Sequence, residues 1–509
     1  MAIESKSEAQ RIRASLKHPV IDADGHWLEF GPIILEQLEK FGGSIAVEGF
    51  RSFNGRISKR LTTSEEDRKS RRRAQEAFWA LPTKNTRDRA TEILPRLLYE
   101  RLDEFGMDFT VLYPTAGLGI PFHPDDETRR TTSRAFNRFI AEFFGEFSDR
   151  MTPAAVIPMH TPEEACAELE YVVKQLGLKV VMMASMVRRQ IPAGAAKSAD
   201  AARYATWFDM LGLDSEYNYD PVWAKCVELG ISPTFHSGSR GIGLRNSPSN
   251  FVYNHIGHFA AASEAVCKAI FLGGVTRRFP QLKMGFLEGG VGWACALYCD
   301  LIGHWKKRNR EALEEVNPAN LNREMLTQLI REYGGKWVAG KVEAKAAGVE
   351  AILERDQSGA TGGIRELDDY AACRIKRGED IRDLFVNNFY FGCEADDPLN
   401  AYAFNRKANP YGAKLNVLFG SDIGHFDVPD MKDVVPEAYE LVEDGLITED
   451  DFRDFMFVNP VRFWGEANPN FFRGTRVEKE AGALLAGRRA QLRSARAGAM
   501  RRGPAATLS

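Results

Sequence analysis

Eight short, largely apolar runs, each ending in polar or glycine residues, recur along this chain, and no other feature of the sequence restricts its architecture as strongly. They are Val20–Ala23, Phe109–Tyr113, Ala154–Pro158, Val180–Met183, Ile231–Phe235, Met284–Leu287, Phe389–Phe391 and Val417–Phe419. Continuous apolar runs of this length are how strands buried on both faces of a parallel sheet read. Between most of them lie helical patterns such as Thr161–Leu176, in which Thr161 is placed to cap and apolar positions recur at three and four residues. The alternation predicts an α/β protein with a covered parallel sheet. Eight strands suggest closure into a (β/α)8 TIM barrel rather than an open doubly wound sheet.

Two segments break the alternation. Residues 29–95 include the basic run Arg68–Arg73, and residues 306–382 are charged and mainly helical in pattern; both are expected to be insertions in loops. A chain of 509 residues exceeds the roughly 250–300 at which single cores stop growing, but a decorated barrel can reach it. The expected organisation is an N-terminal extension (1–19), one barrel (20–473) and an Arg-rich tail (474–509). From Ala481 onward the tail has six arginines and no acidic residue. It reads as a solvated or disordered end, with an oligomer arm or an anion-binding tail as alternatives.

Composition narrows the partners. With 67 basic and 70 acidic residues and a formal net charge of −3, nothing points to a nucleic-acid or membrane partner. The seven cysteines are scattered and form no CxxC pair, so they are expected to be reduced and mainly packing residues. The first residues lack an apolar h-region, and no stretch approaches the ~18–20 apolar residues that span a bilayer. A soluble, cytoplasmic protein with a small-molecule substrate is the expectation.

Four segments place metal-ligating side chains in or just after apolar runs. In VIDADGHWLEF, a spacing of two puts Asp22, Asp24 and His26 on one face of a strand, although Asp and Gly also form turns. In ISPTFHSGSRG, His236 ends a strand, placed to coordinate an ion or to hydrogen-bond in a turn, with Arg240 nearby to hold a substrate carboxylate. In MGFLEGG, Glu288 is a carboxylate forced to the end of a buried strand, which calls for a positive partner: a metal, a substrate or an arginine. In VLFGSDIGHFD, Asp422 can ligate a metal and take a proton from metal-bound water, or merely cap a helix; His425 follows as a candidate substrate contact. His255, His258, Glu394 and Lys179 are weaker candidates. In a barrel all such strand ends converge on one mouth.

These residues resemble a known family, the amidohydrolase-related (amidohydrolase 2) proteins, which include aminocarboxymuconate-semialdehyde and resorcylate decarboxylases. The resemblance is carried, in order, by VIDADGHWLE, RLDEFGMDFTVLYPT (101–115), residues 136–170, LGLKVVMM, FHSGSRG, RRFPQLKMGFLEGGVGW, VLFGSDIGHFD and NPVRFWG (459–465). It implies one divalent ion, usually zinc, held by a pair on the first strand, a mid-barrel histidine and an aspartate on the last strand. Those positions fall on Asp24, His26, His236 and Asp422. Two departures stand out: Asp24 replaces the first histidine of the pair, giving a harder donor set that suits zinc, manganese or iron, and Glu288 replaces the catalytic histidine that decarboxylases of this type place before the paired glycines.

The first expected activity is therefore hydrolysis of a C–N or C–C bond beside a carbonyl of a small carboxylated or cyclic substrate. Metal-activated water would attack, with Asp422 or Glu288 moving the proton, His236 holding the ion and Arg240 orienting the substrate. The alternatives are metal-dependent, non-oxidative decarboxylation and a barrel that has lost catalysis and binds only. Relatives often dimerise, so a homodimer is expected.

Overall fold

In a computed structural model, which describes residues 6–75, 84–236, 238–317, 320–337, 368–425 and 427–501, the apolar runs become a ring of strands. The strands in chain order are β1 (Ile21–Trp27), β2 (Phe109–Pro114), β3 (Met151–Ile157), β4 (Val180–Met183), β5 (Val187–Gln190), β6 (Thr206–Asp209), β7 (Thr234–Phe235), β8 (Met284–Phe286), β9 (Phe389–Glu394) and β10 (Asn416–Gly420). Eight of them form one sheet in the order β1-β2-β3-β4-β7-β8-β9-β10, every neighbouring pair parallel. All eight expected runs lie in this barrel.

The ring is joined between β10 and β1 by bonds from the loop that follows β10. Asp422 N–H donates to the Asp24 carbonyl and His26 N–H to the Ile423 carbonyl, each at 3.0 Å. Asp22 reinforces the join: its carboxylate accepts from Ser421 N–H (3.0 Å), Ser421 Oγ (2.8 Å) and Thr110 Oγ1 (2.6 Å). The β1–β2 register slips between Asp22 and Gly25. A side chain at Gly25 would put its β-carbon 2.5 Å from Asp22 Oδ2, so only glycine lets this carboxylate reach its donors.

Helices cover the outside. Thr161 caps the Pro162–Glu170 helix in a reciprocal box with Glu164, as its sequence predicts. Residues 29–95 open with the helix Gly31–Thr62, which packs against Asp126–Phe144 on the barrel wall. Above β4 stands an antiparallel pair, β5 and β6, that periodicity did not reveal; Arg189 anchors it by reaching Asp209 (2.9 Å), Tyr219 Oη (2.9 Å) and the His160 carbonyl (2.9 Å). Residues 306–382 contain the amphipathic helix Arg323–Tyr333, with no buried residue, while 338–367 lie outside the described residues. Among the described residues no helix is long and apolar enough to cross a membrane.

The Arg-rich tail departs from the expected solvated end. It forms the helix Glu478–Arg501, whose Ala481 and Leu485 are buried. The cause is apolar spacing that the arginine content obscures: Leu485 lies over Gly465, where a β-carbon would meet its Cδ1 at 2.6 Å. Leu485→Ala is expected to lower the unfolding free energy by about 2 kcal/mol, the low end for a buried leucine. Denaturant unfolding measures this, and an unchanged midpoint would show that the helix contributes nothing to stability.

Candidate metal centre

Parallel strands bring their C-terminal ends to one mouth, and there the sequence candidates meet. β1 carries Asp24 and His26, His236 directly follows β7, Glu288 lies just beyond β8, and Asp422 and His425 lie beyond β10. All six are buried. His236 Nε2 lies 3.2 Å from His26 Nε2, 3.6 Å from Asp24 Oδ1 and 3.0 Å from Glu288 Oε2. His26 Nε2 lies 3.7 Å from Asp24 Oδ1 and 3.4 Å from Asp422 Oδ1. His425 stacks on His26 with ring centroids 3.9 Å apart, and its Nδ1 is 2.6 Å from Asp422 Oδ1 and 3.7 Å from Glu288 Oε1.

Donor atoms of Asp24, His26 and His236 lie within 4.8 Å of one another, as do those of His26, Asp422 and His425. The two sets share His26. Asp24 Oδ1 and Asp422 Oδ2 are buried with no hydrogen-bond partner among the described residues. Buried carboxylate oxygens are costly unless something positive receives them. Two imidazole nitrogens facing each other across 3.2 Å, with these oxygens around them, are a donor set that fits a divalent cation.

Charge coupling inside the cluster is strong. Burial pushes Asp24 up to about 7 against the pull of His236, with Glu288 and Asp22 adding to the rise. Burial holds His26 well below its ordinary value, which keeps it a neutral ligand. Burial alone would raise Glu288, but His236 and His425 beside it hold it well below the usual carboxylate range. Burial would lower His425, yet the Asp422 and Glu288 carboxylates hold it well above its ordinary value. His425 Nδ1 and Asp422 Oδ1, 2.6 Å apart, form a short ion pair.

Two of these residues sit in the left-handed region that favours glycine, Glu288 at φ 55° and Asp422 at φ 47°. Such backbone costs on the order of 1–3 kcal/mol per residue and persists where the surroundings over-determine it, typically at functional sites. In Asp422 the conformation is fixed by its N–H bond to Asp24.

A cavity of about 290 Å³ opens beside the cluster, lined by His255, His258 and Phe259 on one side and Glu288, Glu394 and Asp427 on another. Burial, with Glu288 and Asp427 adding, pushes Glu394 up to about 8, and burial with the charge of Arg240 pushes His258 down to about 3. Arg240 lies behind this wall, its guanidinium 5.9 Å from the Phe251 ring. Asp22, which spacing groups with Asp24 and His26, belongs to the barrel join and not to the ligand cluster. Lys179 is no substrate contact: it precedes β4, so it lies at the opposite mouth, where its Nζ donates to the Phe471 carbonyl at 2.8 Å. The sequence reading missed Glu92, which the chain brings against Gly424 and within electrostatic reach of His425, and also Asp427. No local motif marks either.

The family profile described as Amidohydrolase matches residues 21–320. The 2-amino-3-carboxymuconate-6-semialdehyde decarboxylase of Dictyostelium discoideum is 26% identical over 212 residues, 42% of this chain and 49% of the relative, so the match spans about half of the relative's length. Among solved structures, the 2,6-dihydroxybenzoate decarboxylase from Rhizobium is 14% identical, with 88% of this chain and 98% of that chain covered and a TM-score of 0.45. The dihydroxybenzoic acid decarboxylase from a Polaromonas species, with bound manganese and the inhibitor 2-nitroresorcinol, is 15% identical, with 88% and 97% covered and a TM-score of 0.46.

Proposed function

Because the chain belongs to the amidohydrolase family, we propose that it is a metal-dependent carboxy-lyase that removes CO2 from a small unsaturated or aromatic acid. The observation that carries the reading is the convergence of Asp24, His26, His236 and Asp422 beside a cavity, with a proton-bearing His425 stacked on the ligand set. The decarboxylating relative favours this reaction over hydrolysis, which residue types alone put first.

Asp24, His26, His236 and Asp422 would hold one divalent ion, zinc or manganese given two carboxylates and two imidazoles. When bound, the ion supplies Lewis-acid polarisation of substrate oxygens. The protein supplies the rest. The cavity wall of His258 and Phe259 would bound a planar substrate, and Arg240, whose charge reaches His258, offsets part of the charge of the Glu288, Glu394, Asp397 and Asp427 carboxyls on the same cavity. Loss of CO2 leaves a carbon that must gain a proton, and His425, bracketed by Asp422 and Glu288, holds one at Nδ1. Glu288 keeps that imidazole charged and oriented.

The test is to load the protein with zinc or manganese and follow CO2 release from hydroxybenzoates and muconate-type acids. A hydrolysed product without CO2 would overturn the reading. Hydrolysis is the second reading, favoured by Glu288, since a carboxylate base serves water attack better than it serves as an acid. Glu288→Gln is expected to lower turnover by about a hundredfold, the lower range for a residue engaged in proton transfer, with metal content unchanged. Equal turnover in the variant and the wild type would remove Glu288 from the reaction.

A further inference from the structure

At the opposite end of the barrel, where Asn387 precedes β9 and Leu415 precedes β10, a second cavity of about 440 Å³ opens beneath the C-terminal helix. This is within the range of small-metabolite sites. Its charged lining is Arg382, Arg406, Lys414, Arg462 and Arg488 against Asp383 and Asp454. Some of these charges are matched locally: Arg382 pairs with Asp383 at 2.8 Å, and Lys414 with Asp451 at 2.5 Å and Asp454 at 3.5 Å.

The remainder are not. Three cations depend on one carboxylate, Glu466: Lys283 Nζ lies 2.9 Å from its Oε2, while Arg462 Nε and Arg488 Nε lie 3.2 and 3.7 Å from its Oε1. Arg488 Nε has no hydrogen-bond partner among the described residues. Arg406, on the rim, makes no ion pair among them. Counting Asp451, Glu466 and Lys283 with the lining, six basic side chains face four acidic ones. A concave, partly desolvated surface with that excess attracts an anion far more strongly than a flat one.

We propose that this cavity is a binding site for a small phosphate-type polyanion, gripped by Arg406, Arg462 and Arg488. Guanidinium forks match tetrahedral oxyanions in two-point contacts, which an ammonium cannot do. The proposal also gives the Arg-rich C-terminal segment a role: its helix docks through Ala481 and Leu485 and thereby carries Arg488 to the cavity. The site is separate from the ligand cluster, which lies at the other mouth.

Calorimetric titration of the full-length protein with inorganic phosphate and with pyrophosphate tests the site. Wild type is expected to bind pyrophosphate saturably and more tightly than phosphate. Arg406→Ala should weaken binding about tenfold and Arg406→Ala with Arg488→Ala about a hundredfold, the range for charge-assisted contacts. Arg130→Ala, which removes an exposed charge on a distant helix, should leave binding unchanged. Arg406 is exposed, so its single replacement reports on binding even if the double variant unfolds. No saturable binding by wild type would overturn the proposal, and so would unaltered affinity in Arg406→Ala and the double variant, which would place the anion elsewhere, at the ligand cluster included.

Discussion

On the proposed ligand set, Asp422→Asn is expected to lose a divalent ion under conditions where the wild type keeps one per chain. The substitution retains the shape of the side chain but removes a negative charge and replaces one carboxylate oxygen by an amide nitrogen, a poor ligand. Changes merely behind a metal ligand cost about 10–100-fold in affinity, so loss of a ligand itself should cost at least about a hundredfold. Turnover should fall with it. Elemental analysis after dialysis against a weak chelator measures the first effect. Thermal unfolding gives an independent reading, because an ion at a hundred times its Kd adds about 2.7 kcal/mol to wild-type stability and far less to the variant. His425→Gln separates the roles, since it should keep the ion and lose turnover. Wild-type metal affinity in Asp422→Asn would strike Asp422 from the ligand set.

The second large effect is on the fold. Asp22→Ala should cost about 3–5 kcal/mol, because it leaves several neutral buried donors unsatisfied at about 1–3 kcal/mol each. Ser421 N–H, Ser421 Oγ and Thr110 Oγ1 would all lose their acceptor where water cannot replace it. Burial pushes this carboxyl up from its ordinary value and those same donors pull it back, so it and they depend on one another. Asp22→Asn, which keeps one acceptor oxygen, should lose less. Denaturant unfolding distinguishes the two, and an Asp22→Ala protein as stable as wild type would mean that the β10–β1 join rests on backbone bonds alone.

The strands were legible because a doubly buried parallel strand has a single signature, an uninterrupted apolar run, and every such run from Val20 to Phe419 lies in the barrel. β5 and β6 were not, because VRRQ and TWFD mix charge with apolar residues and are held by Arg189 and Asp209 rather than by an apolar face. Within the site, Asp24, His26, His236, Glu288, Asp422 and His425 were all nameable, since strand ends are fixed by the fold. Asp22 misled because period-two reasoning assumes a regular strand, and the slip before Gly25 turns it toward Ser421. Lys179 could have been placed correctly from sequence: it precedes its strand, so it must lie at the other mouth. Glu92 and Asp427 could not, because their positions depend on loop paths that no local pattern encodes.

The join between β10 and β1 brings together the two extremes of the barrel's translation order. Asp24 and His26 leave the ribosome long before Asp422, yet the proposed ligand set spans them. A nascent chain stopped between His236 and Asn416 carries three of the four proposed ligands and lacks Ser421, on which Asp22 is seated. On the proposed ligand set, ion capture would wait for the last barrel strand, and a product terminated before it would lack both the closing join and the fourth ligand.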